Sequence, residues 1–442
     1  MFTTIRNAWK IPELRKKLLF TALIILIFRI GCAIPIPFIS IGEEGLLNQA
    51  ATTATFLDYV NMISGNAFNY GTIFALSITP YINASIIIEL LTVAIPVLER
   101  LAKEGEEGRK KIATITRYVT IALAILQGIA YFVYLRSQNA LTLTTSTFGV
   151  VWQGIVIVLM LTAGASLCMW LGEQVNDKGI GNGISIILFA GIVSRIPAIM
   201  TQLYGYFDMG GIYYALAPIA LVCMLLLIVF IVWMDNAERR IPVQYTKRVV
   251  GRKMYGGQSS NIPIKVNMSG VLPVIFASSI LSIPSTIQMF VSVSEGSFWS
   301  KFFNIFTTEH WAYGIIYFVL IIFFAYFYAS IQYNPVEMAN NLNKNSGVIP
   351  GIRSGRPTSD YIRNILNKMI LLGALLLSVV AIFPILFSQI TTLICVNGLG
   401  KETGVSISLG GTSIIILVGV ALETVQQLES QMMMRHYKSF LD

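Results

Sequence analysis

Charged residues fall inside or at the edge of long apolar runs, most clearly Arg29 and Glu89, with Arg117 and Glu423 nearer the run ends. A charge within a membrane segment is by default tied to function. An ion-coupled transporter gathers several such groups around one midplane site, whereas these are dispersed, with Arg117 and Glu423 toward the ends of their runs. Glu89 stands seven residues beyond Ile82, about two helical turns. It reads as a polar contact between helices, with Asn83, Gln127, Ser278 and Ser279 as hydrogen-bonding partners across one seam. The two histidines, His310 and His436, lie outside the run centres. No HExxH, CxxC or GxxxxGKS/T pattern occurs, so metalloprotease and nucleotide-hydrolase chemistry lack their required residues. Asn267-Met268-Ser269-Gly270 places a serine among small residues, but no histidine or lysine sits at matching depth to act as its base. The chain reads as a non-enzyme, with no cofactor and no metal site.

What occupies the run centres is aliphatic. Pro80-Tyr81-Ile82-Asn83-Ala84-Ser85 and Pro273-Val274-Ile275-Phe276-Ala277-Ser278 share the pattern P-x-I-x-A-S. Around them stand Ile78, Ile82, Ile275 and Ile280. A ring of such side chains offers neither charge nor hydrogen bond and so cannot recognise a solute, while a narrow apolar constriction excludes ions by dewetting. Isoleucines in membrane helices mostly pack or face lipid, so the residues alone do not single out these four.

The elements that must position these residues follow from hydropathy. Of 442 residues, 55% are hydrophobic and 12% charged, the composition of an integral membrane protein. Apolar runs of about 20 residues span a bilayer as helices. Ten are predicted, near 18 to 38, 72 to 96, 112 to 135, 150 to 172, 180 to 203, 212 to 234, 268 to 292, 311 to 333, 364 to 388 and 411 to 434. Of the 31 Lys and Arg residues, 26 fall in alternate gaps, counting Arg117 and Lys178 with their cytoplasmic neighbours. Only Arg136, Arg195, Lys301 and Lys401 fall in the others. The positive-inside rule then puts both termini in the cytoplasm. The first run is basic at its start like a signal peptide, but it is longer than an h-region and nine more follow, so it reads as retained. Cys32, Cys168, Cys223 and Cys395 show no paired spacing and argue against a disulfide framework or a metal site. The net charge of +9 sits in the cytoplasmic loops, where it retains topology and suits the anionic lipid leaflet or another anionic partner.

Three connections stand out. Residues 39 to 71 carry no Lys or Arg and end in Leu57-Asp58-Tyr59-Val60-Asn61-Met62-Ile63-Ser64-Gly65. This stretch is too short to span and reads as a half-helix folded back into the bundle, because such backbone survives at membrane depth only inside protein or beside a wet cavity. Residues 235–267 and 334–363 are long cytoplasmic loops. The first holds alternating runs about Gly251 with Lys247, Arg248, Arg252 and Lys253, the pattern of a basic β-hairpin. The second, Gly351-Ile352-Arg353-Ser354-Gly355-Arg356-Pro357, presents two arginines between turn residues. The repeated motif occupies corresponding places in two groups of five spans, and an odd number per half inverts one half relative to the other. The expected fold is an all-α polytopic membrane protein of ten transmembrane helices in two inverted pseudo-symmetric halves of five, residues 1–204 and 205–442.

Several stretches together resemble the SecY family, the channel subunits of Sec protein-translocation complexes. They are Pro80 through Ile88, Lys103-Glu104-Gly105 with Gly108-Arg109-Lys110-Lys111, Thr116-Arg117-Tyr118, Trp170-Leu171-Gly172-Glu173-Gln174 and Gly179-Ile180-Gly181-Asn182-Gly183-Ile184-Ser185. Val266-Asn267-Met268, Phe276-Ala277-Ser278-Ser279, Pro350-Gly351-Ile352-Arg353 and Gly410-Gly411-Thr412-Ser413 continue the match in order and nearly end to end.

The resemblance implies a clamshell around an hourglass pore, with a lateral gate between spans two and three and spans seven and eight; the polar seam belongs there. It implies a pore ring of Ile78, Ile82, Leu188, Ile275, Ile280 and Ile416, with leucine at 188 in place of the isoleucine of bacterial members. The half-helix becomes a plug at about 57–67, including Leu57, Tyr59, Val60, Met62, Ile63, Ser64 and Gly65. Lys247, Arg248, Arg252, Lys253, Arg353 and Arg356 become contacts for the SecA ATPase or the ribosome. Further expectations are SecE and SecG subunits as partners, signal peptides and nascent secretory or membrane proteins as cargo, and the bacterial plasma membrane as location. DNA is not an expected partner. The function implied is a protein-conducting channel that passes unfolded polypeptides and releases transmembrane segments sideways into lipid. The rival reading is an ion-coupled secondary transporter with inverted repeats; an intramembrane protease ranks third for lack of a base.

Overall fold

A computed structural model describes residues 2–40, 61, 63–138, 140–142, 147–208, 210–245, 248–250, 253–255, 259–290, 298–306, 310–399 and 410–438. The chain opens with α1 (Phe2–Trp9) and α2 (Pro12–Gly31), the latter started by Pro12, whose missing N–H costs nothing in a first turn. Turns occupy 64–78, and α3 (Thr79–Ala94) follows with Pro80 in its first turn. The second span was expected from residue 72, but helix begins seven residues later. Ser77, at φ 48°, sits in the left-handed region just before it, which a continuous helix cannot contain. Ile95 precedes Pro96 and is extended, as a residue before proline prefers. There the axis bends by 100° into α4 (Pro96–Lys103).

Two long helices come next, α5 (Glu106–Ser137) and α6 (Thr147–Lys178), then the shorter α7 (Gly183–Val193), α8 (Ile196–Asp208) and α9 (Tyr213–Asn236). Among the described residues seven helical stretches are long and apolar enough to cross a membrane, and the bent α3–α4 pair is an eighth. Two expected spans fail that measure for visible reasons. In α2, Arg15, Lys16 and Lys17 crowd one end and Arg29 stands near the other. α10 (Leu272–Phe290) carries no charged residue along its length but is described in full only over Leu272–Leu281, short of a crossing. With these two included, the ten expected spans all have helices.

The remaining elements are β1 (Glu238–Tyr245), β2 (Arg248–Val250), β3 (Lys253–Tyr255), β4 (Ser259–Lys265), α11 (Phe298–Ile305), α12 (Trp311–Gln332), α13 (Pro335–Lys344), β5 (Gly347–Val348), α14 (Arg356–Leu399) and α15 (Gly411–Lys438). The chain is therefore not purely helical. β1 pairs antiparallel with β4 from Glu238↔Lys265 to Gln244↔Ser259, β5 adds to its other edge at Gln244 and Tyr245, and β2 pairs with β3. Ile241, Val243 and Ile264 turn inward, and the alternation in β1 is what a strand with one buried face requires.

The chain packs as two units: Met1–Asp208 with Leu281–His310 and Val420–Asp442, and Met209–Ile280 with Trp311–Gly419. The first unit has a core of Ile36, Phe68, Leu76, Tyr131, Leu135, Ile157 and Leu161, in which the Tyr131 hydroxyl donates to the Phe68 carbonyl at 2.7 Å. Phe28 stacks on Phe74 at 5.7 Å. The core of the second joins Ile241, Val243 and Ile264 to Leu342, Ile349, Ile362 and Leu366, seating the sheet on α13 and α14. At its base Val266 N–H donates to the Ala237 carbonyl at 2.9 Å, and Asn267 Nδ2 donates to Asp235 Oδ1 at 2.7 Å. The two ends of the β1–β4 excursion are thereby tied together where it leaves α9 and enters α10.

Candidate functional site

Three of the six aliphatic residues lie in the first unit. Ile78 caps α3 and is fully buried, and its carbonyl accepts from Ile82 N–H at 3.1 Å; Ile82, one turn on, is 9% exposed. Residues four apart share a helix face. Ile78 points toward α6 at Gly172: a Cβ placed there would lie 3.6 Å from Ile78 Cδ1 and 3.5 Å from Ile187 Cδ1. A Cβ on Gly183 would meet the Gly172 carbonyl oxygen at 1.9 Å, so α6 and the start of α7 touch backbone to backbone.

The glycine-rich turn makes that contact possible. Gly181 takes φ 86°, Asn182 caps α7 by accepting from Ile184 N–H at 3.1 Å, and Asn176 Oδ1 accepts from Gly183 N–H at 2.7 Å. The cap fixes the direction of α7 and with it Leu188, which is 2% exposed. Gly183→Ala is expected to lower the melting midpoint of the purified protein in detergent, at about 1–3 kcal/mol for forcing two backbones apart. A midpoint equal to the parent's would show that the crossing is not tight.

The other three lie in the second unit. Ile275 is 8% exposed and Ile280 half-buried on α10, about 140° apart around the axis at 100° per residue. Ile416 is 2% exposed on α15. Gly411, whose Cβ would meet the Val380 carbonyl at 2.4 Å, lets α15 start against α14, and Gly419 brings it to Val271 at the head of α10. Both copies of the repeated motif open a helix with proline in its first turn, α3 at Pro80 and α10 at Pro273. Proline is favoured there because its fixed φ suits a helix and its absent donor is not needed.

The polar seam is looser than expected. Asn83, Glu89 and Gln127 are half-buried, and among the described residues no hydrogen bond or ion pair joins them. Asn83 and Glu89 are six residues apart, about 120° around α3 by the shorter way, so a seam that takes in both covers about a third of that helix's circumference. Ser278 Oγ donates within its own helix to the Ile275 carbonyl at 2.9 Å, and Ser279 is half-buried. The polar link that does form in this region is one sequence reading missed. Arg117 Nε donates to Glu173 Oε1 at 2.7 Å, joining α5 to α6 beside Tyr81 of α3. Both charges lay in motifs already singled out, Thr116-Arg117-Tyr118 and Trp170 through Gln174, and their opposite signs were the available signal.

Of the segment read as a plug, Leu57, Tyr59, Val60 and Met62 lie outside the described residues. Ile63 and Ser64 are buried, and Gly65 takes φ 63°. Lys247 and Arg252 also lie outside the described residues; Arg248 and Lys253 stand at either end of the β2–β3 pair. Arg353 is exposed in the turn between β5 and α14, its carbonyl accepting from Thr358 Oγ1 at 2.8 Å, and Arg356 is exposed at the head of α14.

Comparison with known proteins accounts for this combination. The SecY family model matches residues 72–425. The protein translocase subunit SecY of Streptomyces scabiei is 43% identical over 449 residues, covering all of both chains. A solved structure described as that of a protein conducting channel superposes with a TM-score of 0.62 at 16% identity over 96% of each chain. Sec61 in the canine ribosome-channel complex from the endoplasmic reticulum gives 0.58 at 15% identity, again over 96% of each chain. At such identities the structural likeness speaks for the fold, and the ten-helix, two-half architecture is that of these channels. The identity to the translocase subunit, sustained over the whole of both chains, goes further than fold, and the chain belongs to the SecY family.

Proposed function

We propose that this chain is the protein-conducting channel of a translocation complex, passing unfolded polypeptides across a membrane and releasing apolar segments sideways into lipid. The observation that carries the reading is the end-to-end identity to a protein translocase subunit, joined to a channel fold. Ile78, Ile82, Leu188, Ile275, Ile280 and Ile416 would form a constriction in which a passing chain finds no charge and no hydrogen-bonding group. Such a waist tolerates any polypeptide because it binds none, and it seals against ions by dewetting.

The two halves, residues 1–204 and 205–442, would part at the seam carrying Asn83, Glu89, Gln127, Ser278 and Ser279. A signal peptide's apolar core of about 7 to 15 residues would partition toward lipid there. Residues 57–67 would act as the plug. The Lys and Arg distribution supports cytoplasmic termini in a bacterial plasma membrane. The cytoplasmic loops, with Lys247, Arg248, Arg252, Lys253, Arg353 and Arg356, would receive the SecA ATPase or the ribosome. The Sec61 relative is itself a ribosome-bound channel. Basic side chains suit ribosomal RNA phosphates or an acidic motor surface. SecE and SecG would complete the complex, and the chain, which carries no nucleotide-binding motif, would draw its driving force from these partners. The transporter reading is not favoured, because saturable uptake of one solute needs a polar site that these aliphatic residues do not supply.

Photo-crosslinking from a stalled secretory chain tests the proposal. Probes at positions 78, 82, 275 and 416 are expected to capture the translocating chain, and a probe at Leu225, exposed on α9, is not. Equal capture at all five positions, or capture at Leu225 alone, would refute it.

A further inference from the structure

We propose that Arg29 is the residue that holds the plug segment in its seat; the proposal rests on reading 57–67 as the plug. Arg29 lies in the last turn of α2, half-buried within an otherwise apolar stretch. Its Nη1 donates to Ser194 Oγ at 2.9 Å and to the Gly65 carbonyl at 3.4 Å. Three residues on, Cys32 Sγ donates to the Ser64 carbonyl at 3.6 Å. Ser194, which ends α7, donates in turn to the Gly191 carbonyl at 2.6 Å. Residues 64 and 65 are thus held by side chains in and just after α2, while α7 supplies the floor.

The floor is close. A Cβ on Gly191 would meet the Ile63 carbonyl oxygen at 2.2 Å. A Cβ on Gly65 would meet Arg29 Nη1 and Ser194 Oγ, each at 2.6 Å, and φ 63° already favours glycine there. Two glycines therefore clear a seat that only bare backbone can enter, and the guanidinium closes it. Ser64 locks the entering turn from within: its Oγ donates to the Asn61 carbonyl at 3.1 Å and accepts from Phe68 N–H at 3.1 Å.

The chemistry suits a reversible latch. Among the described residues Arg29 bonds to a carbonyl and a hydroxyl, and no carboxylate is among those partners. Breaking a buried ion pair would be far more costly. On departure Arg29 keeps Ser194 and exchanges the Gly65 carbonyl for water, a guanidinium having five N–H donors to place. The long bond to Gly65 is the one that changes, and it bears on the segment's backbone, so it does not depend on side-chain identity.

The alternative is that Arg29 merely ties α2 to α7 through Ser194, which the same variants would disturb. Labelling of one added cysteine in the complete channel complex in vesicles, with native Cys32, Cys168, Cys223 and Cys395 retained and their background subtracted, separates the two. Ile63→Cys reports on the seat, and Ile192→Cys, at a fully buried site in α7, reports on the helix beneath it. Arg29→Met is expected to raise the labelling rate at position 63 about tenfold, the response of a local opening equilibrium, and to leave position 192 protected. Arg29→Lys should restore most of the protection, and Ser194→Ala should have the smaller effect. Unchanged labelling at 63, or a parallel rise at 192, overturns the latch. Ion leak through the same vesicles reports separately on the plug reading. A seat that opens at 63 without added leak would leave the latch standing and remove the plug.

Discussion

Ile275→Asn is expected to raise export of a reporter with a defective signal sequence by roughly tenfold over the parent channel, and Ile82→Asn to act in the same direction. Both isoleucines are nearly buried, at 8% and 9% exposure. An amide placed there without a compensating partner costs about 1–3 kcal/mol by the standard of protein mutational data. On the proposed reading that cost falls on the closed state, in which the waist would be dry. It is relieved when a polypeptide and its water occupy the channel. The closed-to-open balance then shifts by about tenfold for each 1.4 kcal/mol, and a signal too weak to open the parent suffices. The ratio of defective-signal to normal-signal export measures this directly. Variants as stringent as the parent would show that the two side chains do not face the passage. Ile280, which is half-buried, should respond less to the same substitution.

Arg353→Glu should abolish most SecA-driven export while leaving the folded protein and its abundance unchanged. Arg353 is exposed, and the flanking Gly351 and Gly355, at φ 81° and 98°, have nothing within 4 Å of a Cβ. The turn is held through backbone, by Thr358 Oγ1 on the Arg353 carbonyl, so reversing the side chain's charge removes no packing. Surface changes of this kind stay within about 0.5 kcal/mol of stability. A central arginine in an interface, by contrast, costs about 2 kcal/mol or more when lost, roughly thirtyfold in binding. Translocation into vesicles with SecA and ATP is the measurement. Arg356→Glu is the internal control for stability: it sits in the first turn of α14, where a negative charge favours the helix by about 0.3–1 kcal/mol. Export at the parent rate by Arg353→Glu would move the motor contact elsewhere on the loops.

How far the sequence reached differs between the residues. The spans were legible because a bilayer imposes one length and one composition on every crossing, but boundaries moved: α2 ends at Gly31 and not near 38, and α14 overruns the expected 364 to 388 at both ends. They slipped at α3, where Ser77 and Pro80 postpone the helix despite an apolar run that begins earlier. Hydropathy records what a segment can be dissolved in, and not where its backbone turns. The repeated P-x-I-x-A-S was visible as letters; that both copies open a helix is a statement about φ at two prolines. The seam was read from polarity alone. Asn83 and Glu89 were grouped that way, and helical period sets them about 120° apart. The Arg117–Glu173 pair was underread, because its partners are 56 residues apart and nothing local links them.

By itself the sequence determined the solvent, the number of the crossings and the family, since each is a sum over many residues and survives local error. The tertiary structure decided which glycines are needed for close approach. Gly172, Gly183, Gly191 and Gly411 look alike in the sequence, and only the arrival of a second segment shows what each gains from its lack of a side chain. It also brought Arg29, whose charge was conspicuous from the start, to its partners Gly65 and Ser194, which lie 36 and 165 residues away. Hydrogen bonds act over a few ångströms, and the distances that matter to them do not exist until the chain has folded.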